Sequence, residues 1–253
     1  MGRATTLKVI SYNILEGGGG RLLLIADVLR QQKPDVVALL EAGGRANIEV
    51  LAHELDMDVA FGEANNPIGH IAWLSRLPIL RTENHRHPGL AKTLLEIEVS
   101  WDSSPLCLFA THLSSRWDPP EPVEEIPIIL DVLRPRTGQL HLLVGDFNAL
   151  GPGDPVGSPP AGVEMRGDAA DGAPRDAIRL ILHAGYIDCY RMRHPHSPGY
   201  TYPSDRPWLR LDYIFASPPM GPVLRACDVL DEDGAVKASD HFPIWAEFHQ
   251  VEG

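Results

Sequence analysis

The sequence predicts an α/β layered fold, and three observations carry that reading. Apolar strand-like runs alternate along the 253 residues with segments of helical periodicity. The run Val36 to Leu40 is continuously apolar rather than alternating, as in a strand buried on both faces. Composition is that of an ordinary globular chain, 44% hydrophobic and 22% charged, which leaves no case for wholesale disorder. A chain of this length can bury well over half of its unfolded surface in a single layered domain spanning residues 1–253.

In chain order, Leu7 to Tyr12 reads as a first strand, broken by the Gly17 to Gly20 run. Arg21 to Gln32 follows as a helix, with Leu22, Ile25, Ala26 and Leu29 at helical spacing and Pro34 as its stop. After the strand ending at Leu40, a second helix is marked by Ile48, Leu51, Ala52 and Leu55. Further strands are expected at Ile71 to Ser75, Leu94 to Val99, Leu106 to Thr111, His141 to Val144, Leu211 to Phe215 and Ile244 to Phe248. Helices are expected at Val123 to Leu133 and Asp176 to Ala184. Two aperiodic loops, Ser114 to Pro122 and Gly151 to Pro174, each follow a chemistry-bearing strand end and are expected to border a cleft.

Charge and cysteine content narrow the function. The net charge of −12 argues against a protein that coats nucleic acid by electrostatics alone, while a carboxylate cluster that holds cations remains attractive to phosphate. Cys107, Cys189 and Cys227 form neither a metal pair nor a disulfide framework and are read as buried thiols. No apolar run approaches the roughly 18 residues of a membrane span, and the start lacks the apolar core of a signal peptide. A cytoplasmic protein without stable membrane association is therefore expected.

Polar residues recur at the ends of the apolar strands: Asn13, Glu41, His112, Asp146 with Asn148 in Gly-Asp-Phe-Asn, Asp212, and the pair Asp240–His241. In layered α/β proteins such positions converge on ligands. Each alone has an ordinary explanation as a turn former, a strand cap or a structural histidine.

Taken together, Ser-Tyr-Asn-Ile, Pro-Asp-Val-Val-Ala-Leu-Leu-Glu, Leu-Ser-Arg-Leu-Pro-Ile, Ala-Thr-His-Leu, Gly-Asp-Phe-Asn, Arg-Leu-Asp-Tyr-Ile and Ser-Asp-His-Phe-Pro-Ile resemble the endonuclease/exonuclease/phosphatase superfamily, over residues 7 to 248. The resemblance implies a four-layer α/β sandwich, two mixed β-sheets packed face to face with helices outside. It implies that Glu41, with Asn13 and Asp240 beside it, holds Mg²⁺ or Mn²⁺, hard cations suited to oxygen ligands. Asp146 matches the acid that positions or deprotonates the attacking water, and Asn148 an amide donor to phosphate. His241 matches a histidine oriented by a carboxylate, Asp212, and either it or Asp146 would remove the water's proton, while His112 matches a phosphate ligand or general acid. Two departures stand out. Leu40 occupies a position where many members carry Gln, and His112 stands where the abasic-site repair branch usually has tyrosine.

The reaction expected is metal-dependent hydrolysis of phosphate esters by activated water, with nucleic acid, DNA foremost, as substrate. Arg116 and Trp117 after His112, and Arg206, Trp208 and Arg210 before Asp212, are expected at the cleft rim to meet backbone phosphates and bases. The alternative is a small or lipid phosphate ester. No exposed apolar hairpin supports the lipid reading, and four lysines in the chain count against an inositol polyphosphate. An inactive binding module is the remaining class, disfavoured because no member of the set is missing.

Overall fold

The computed structural model describes residues 5–102, 104–115, 120–159 and 175–250. The first half builds β1 (Thr5–Asn13), α1 (Leu22–Gln32), β2 (Val36–Leu40), α2 (Arg45–Leu55), β3 (Asp58–Gly62) and β4 (Ile71–Ser75). Next come β5 (Ile79–His85), β6 (Leu94–Trp101), β7 (Ser104–His112), α3 (Pro122–Leu133) and β8 (His141–Asp146). The chain continues with α4 (Asp176–His183), β9 (Ile187–Asp188), α5 (Cys189–Arg193), β10 (Asp212–Ala216), β11 (Leu224–Val229), α6 (Asp233–Ala238) and β12 (Ile244–Gln250). Among the described residues no helix is long and apolar enough to cross a membrane.

Two six-stranded mixed sheets form, in the orders β11-β12-β1-β2-β4-β3 and β5-β6-β7-β8-β10-β9. The two-residue period of a strand sends alternate side chains to opposite faces, and both faces of each sheet are buried. Leu7, Val9, Val36, Ala38 and Trp73 from the first sheet meet Ile97, Leu108, Ala110, Val144 and Ile214 from the second in one apolar layer between the sheets. The other face of the first sheet, through Ile10, Val37 and Leu39, packs on Ile25 and Leu29 of α1 and Ile48 and Leu51 of α2. The outer face of the second, through Phe109, Leu143 and Phe215, packs on Ile126 and Ile129 of α3 and Ile178 and Ile181 of α4. Each fully buried Val, Leu, Ile or Phe among them contributes about 1.5–3 kcal/mol. The expected four layers are present.

Four strands were not expected from the sequence: β3, β5, β9 and β11. They are the four sheet edges. An edge strand is half covered, and its residues mix: β5 alternates exposed and half-buried positions and contains Arg81 and Glu83, so no apolar run announces it. The short helices α5 and α6 escaped for a related reason, being too brief for periodicity to show.

Arg210, expected at the rim, is instead 1% exposed in the interior. Its Nε and Nη2 donate to the two oxygens of Asp154, each at 2.9 Å, and Nη1 and Nη2 donate to Asp188 at 3.1 and 2.7 Å. Arg191 adds a further bond to Asp154 at 2.6 Å. The Tyr213 hydroxyl donates toward Ala149 O at 3.0 Å and accepts from Gly151 N at 2.8 Å, with Asp154 Oδ2 also 3.0 Å away. This network ties the loop after β8 to β10 and α5. A neutral residue at 210 would leave two buried carboxylates without their main counter-charge. Arg210→Met is expected to lower unfolding free energy by about 3–5 kcal/mol in a denaturant titration. Burial alone would raise the Asp154 carboxyl, but Arg210, with Arg191 and the Gly151 N–H, holds it below its ordinary value. Its contribution is thus complete above the ordinary carboxyl pKa of about 3.9 and is lost as pH falls through the lower folded value. Acid unfolding of Asp154→Asn should lack that component.

Candidate active site

The strand register brings the chemistry together. In the parallel pair β7–β8, His112 faces Asp146, and in the antiparallel pair β8–β10, Asp146 faces Asp212. In the first sheet Asn13, at the end of β1, faces Leu40, the residue before Glu41. The apolar runs therefore deliver their terminal polar residues to one end of the sandwich. Close backbone approach sharpens the placement. Gly145 has φ +150°, and a Cβ there would stand 1.8 Å from Thr111 O, so only glycine lets β8 run beside β7 just before Asp146. Glu41 and Asn148 take left-handed backbone conformations, with φ 53° and 46°, an uncommon state for side-chain-bearing residues that clusters at functional sites.

Asp146 is the hub. Its Oδ2 accepts from Asn13 Nδ2 at 3.1 Å and lies 3.4 Å from His112 Nε2 and 3.7 Å from His241 Nε2. Its Oδ1 accepts from the Asn148 backbone N–H at 3.0 Å. Asn13 Nδ2 also reaches Glu41 Oε1 at 3.2 Å, while Asn13 Oδ1 accepts from Leu15 N at 3.1 Å and Glu41 Oε2 from Glu16 N at 3.0 Å. Asn13 is thus oriented as an amide bridge between Glu41 and Asp146. Asn148 Nδ2 donates to Leu113 O at 3.1 Å and sits 3.2 Å from His112 Nε2.

His241 Nδ1 is 2.8 Å from Asp212 Oδ2, both side chains buried. The two histidines respond oppositely to similar burial. Desolvation drives the His112 ring down to about 3, the nearby Asp146 charge being insufficient to restore it. Desolvation also opposes a charged His241, but Asp212, Asp146 and Asp240 overcome it and raise the ring to about 10. Burial thus favours the neutral ring of His112, while the surrounding carboxylates favour the protonated ring of His241.

The donor set fits a hard divalent cation. Among the described residues no lysine or arginine pairs with Glu41, Asp146, Asp212 or Asp240, and Asp212 Oδ1 is buried without a hydrogen-bond partner. Four carboxylates so placed repel one another, which a bound cation offsets. Ligand atoms of Asp146, Asp212 and His241 lie within 4.8 Å of one another. Glu83, His85 and Glu96 form a second such group, but Glu96 is already paired with Arg81 and Arg136, so its charge is spent.

Of the expected rim residues, Arg116 and Trp117 lie outside the described residues. Trp208 is 8% exposed and belongs to the interior with Arg210; its backbone carbonyl accepts from Gly157 N at 2.9 Å. The segment before β10 supplies other residues instead. The half-buried Tyr202 ring lies 4.7 Å from that of His241 at a 43° tilt. Burial, then the charges of Asp240, Asp146, Asp205 and Glu41, raise its hydroxyl pKa, which places the hydroxyl among the site's carboxylates. Thr201 Oγ1 accepts from the backbone of Leu211 and Asp212, Ser204 donates to Ser239 O, and Ser239 Oγ donates to Asn13 O. Sequence offered only a faint signal for these: Thr-Tyr-Pro-Ser reads as a turn, and Ser239 as the opening of Ser-Asp-His.

The profile of the endonuclease/exonuclease/phosphatase family matches residues 10–241. No curated protein matches the chain by sequence. Among solved structures, an AP endonuclease from Archaeoglobus fulgidus superposes with TM-score 0.76 at 20% identity, covering 96% of this chain and 99% of that one. A 3′ phosphatase from Neisseria, bound to a product DNA hairpin, gives TM-score 0.75 at 20% identity over 96% and 99%. TDP2 of D. rerio, complexed with a single-strand DNA product, gives 0.72 at 19% over 97% and 99%.

Asp212→Asn removes the charge that most strongly opposes desolvation of His241 while keeping the side chain's shape. In the metal-free variant the His241 imidazole, followed by NMR through a pH titration, should titrate well below 10.

Proposed function

Because the chain belongs to the endonuclease/exonuclease/phosphatase family, whose members hydrolyse phosphoester bonds, we propose that it is a divalent-metal-dependent phosphodiesterase acting on DNA. The observation that carries this reading is the convergence on one Asp146 oxygen of Asn13 from one sheet, His112 from the other and His241 from the loop before β12. Such a constellation suits attack of an oriented water on phosphorus.

Glu41 and Asp240, with Asp146 and Asp212 nearby, would hold Mg²⁺ or Mn²⁺. The cation, when bound, polarises the phosphate and neutralises developing charge. The remaining work falls to the chain's own groups. The Asp146 carboxylate orients the attacking water and takes its proton. Asp212 holds the Nδ1 side of the His241 ring, so Nε2 faces Asp146 and the reacting phosphate. Asn148 and His112 line the other side of Asp146 and meet phosphate oxygens. Asn13 fixes the spacing between Glu41 and Asp146. Tyr202, tilted against His241, closes one wall with an aromatic side chain that suits a sugar or base.

DNA is favoured over small esters because the superposing AP endonuclease, DNA-bound 3′ phosphatase and DNA-bound TDP2 span nearly the whole chain. Arg210 no longer contributes to that argument, being committed to Asp154 and Asp188.

The test is a panel of plasmid, duplex and single-stranded oligonucleotides, abasic duplex, RNA, sphingomyelin, inositol phosphates and a chromogenic phosphodiester, with Mg²⁺ or Mn²⁺ and a chelator control. Cleavage of DNA should depend on the metal, and Asp146→Ala and His241→Ala should each reduce kcat by about 10²–10⁴-fold while far-UV circular dichroism is retained. Turnover confined to a non-nucleic ester would overturn the DNA assignment, and turnover unaffected by chelation the metal assignment.

A further inference from the structure

The connection between β5 and β6 brings a cation to the active site that no motif announces. Lys92 Nζ donates to Leu113 O at 3.0 Å, and that same oxygen accepts the Asn148 amide at 3.1 Å. The ammonium is therefore held at the His112–Asn148 side of the site. Its stem is only partly exposed and runs over Gly69, where a Cβ would come within 2.4 Å of Lys92 Cγ. Any larger residue at 69 would push the stem aside.

Among the described residues, the protein uses one of the three N–H directions of Lys92, and no carboxylate lies within ion-pair distance of it. Glu125, whose carboxyl burial raises above its ordinary value with the Lys92 charge only a minor opposing effect, already accepts from Ala91 N at 2.8 Å and Ser114 N at 2.6 Å. Two other cations carried near the site's strands are committed. The guanidinium of Arg21 donates to Ala238 O and Leu15 O, and that of Arg210 is enclosed by two aspartates. A half-buried ammonium with spare donors and no carboxylate within ion-pair distance can take up an anionic oxygen. The carboxylates occupy the other side of Asp146, so an incoming phosphate is repelled there until a cation binds and is attracted here.

We propose that Lys92 is the phosphate-holding cation of this site: it takes a non-bridging oxygen of the substrate phosphate beside His112 and Asn148, setting affinity for the anionic group. The proposal rests on the phosphoesterase reading above and adds to it a residue and a direction of approach.

Steady-state cleavage of an oligonucleotide across a range of salt concentrations, for wild type, Lys92→Met, Lys92→Arg and the remote exposed Lys33→Met, tests it. Lys92→Met should lower kcat/KM by about tenfold, mainly through KM, and reduce the salt slope by about one unit. Lys92→Arg should recover most of the loss, and Lys33→Met should match wild type. Inorganic phosphate, titrated calorimetrically into the Mg²⁺-loaded proteins, should bind Lys92→Met several-fold more weakly. A slower Lys92→Met enzyme that keeps the wild-type salt slope and phosphate affinity would overturn the proposal, because the lysine would then serve only to hold the Leu113 carbonyl. A wild type that cleaves no phosphate ester would sink the phosphoesterase reading instead, and the phosphate titration would still decide the part played by Lys92.

Discussion

One carboxylate oxygen joins the two halves of this molecule. Asp146 Oδ2 is reached by Asn13 across the sandwich, by His112 from the adjacent strand and by His241 from the loop leading into β12. None of those approaches is adjustable on its own. β8 lies against β7 as closely as Gly145 permits, β10 meets β8 in a register that sets Asp212 opposite Asp146, and β1 is sandwiched between β12 and β2. The apolar layer between the sheets fixes the strands, and the strands fix the polar ends. A densely packed interior does not deform smoothly, so side chains carried on its strand ends are held more narrowly than loop residues could be.

The same convergence creates an electrostatic problem. Four carboxylates stand near one another in a chain already carrying a net −12, and among the described residues no arginine or lysine pairs with them. The histidines show how local the outcome is. Both are buried, yet His112 is driven down to about 3 and His241 up to about 10, because the second has Asp212 hydrogen-bonded to its ring and the first has no such partner on Nδ1. Asp212, Asp146 and Asp240 together outweigh desolvation at His241, whereas at His112 Asp146 acts alone and Lys92 and His241 work against it. Elsewhere the fold meets the opposite demand: Arg210 is surrounded by acids and serves stability, its delocalised guanidinium satisfying two carboxylates at once.

Arg210 also shows where reading residue types from sequence misleads. An arginine two positions before a chemistry-bearing aspartate looks like a rim cation, but β10 is an interior strand, and the residues leading into it are drawn inside with it. Asp154 and Asp188, its partners, lie 56 and 22 residues away. Lys92 is the converse: an unremarked lysine between two strands, brought beside Asn148 by the pairing of β6 with β7.

The sequence by itself determined the layered α/β architecture and the interior strands, because a continuous apolar run is a local signal for a doubly buried strand, whereas the candidate site residues stood out only as an ordered set of polar strand ends. The four edge strands were not legible, since an edge is covered on one side only and its residues are chosen half by solvent. What only the tertiary structure decided is which polar groups meet and in what electrical state: that Asn13 bridges Glu41 and Asp146, that the Tyr202 ring leans against His241, that Arg210 turns inward and Lys92 toward the site. Those outcomes depend on distances between residues far apart in the chain and on how completely water is excluded around them, and neither quantity has a local trace in the sequence.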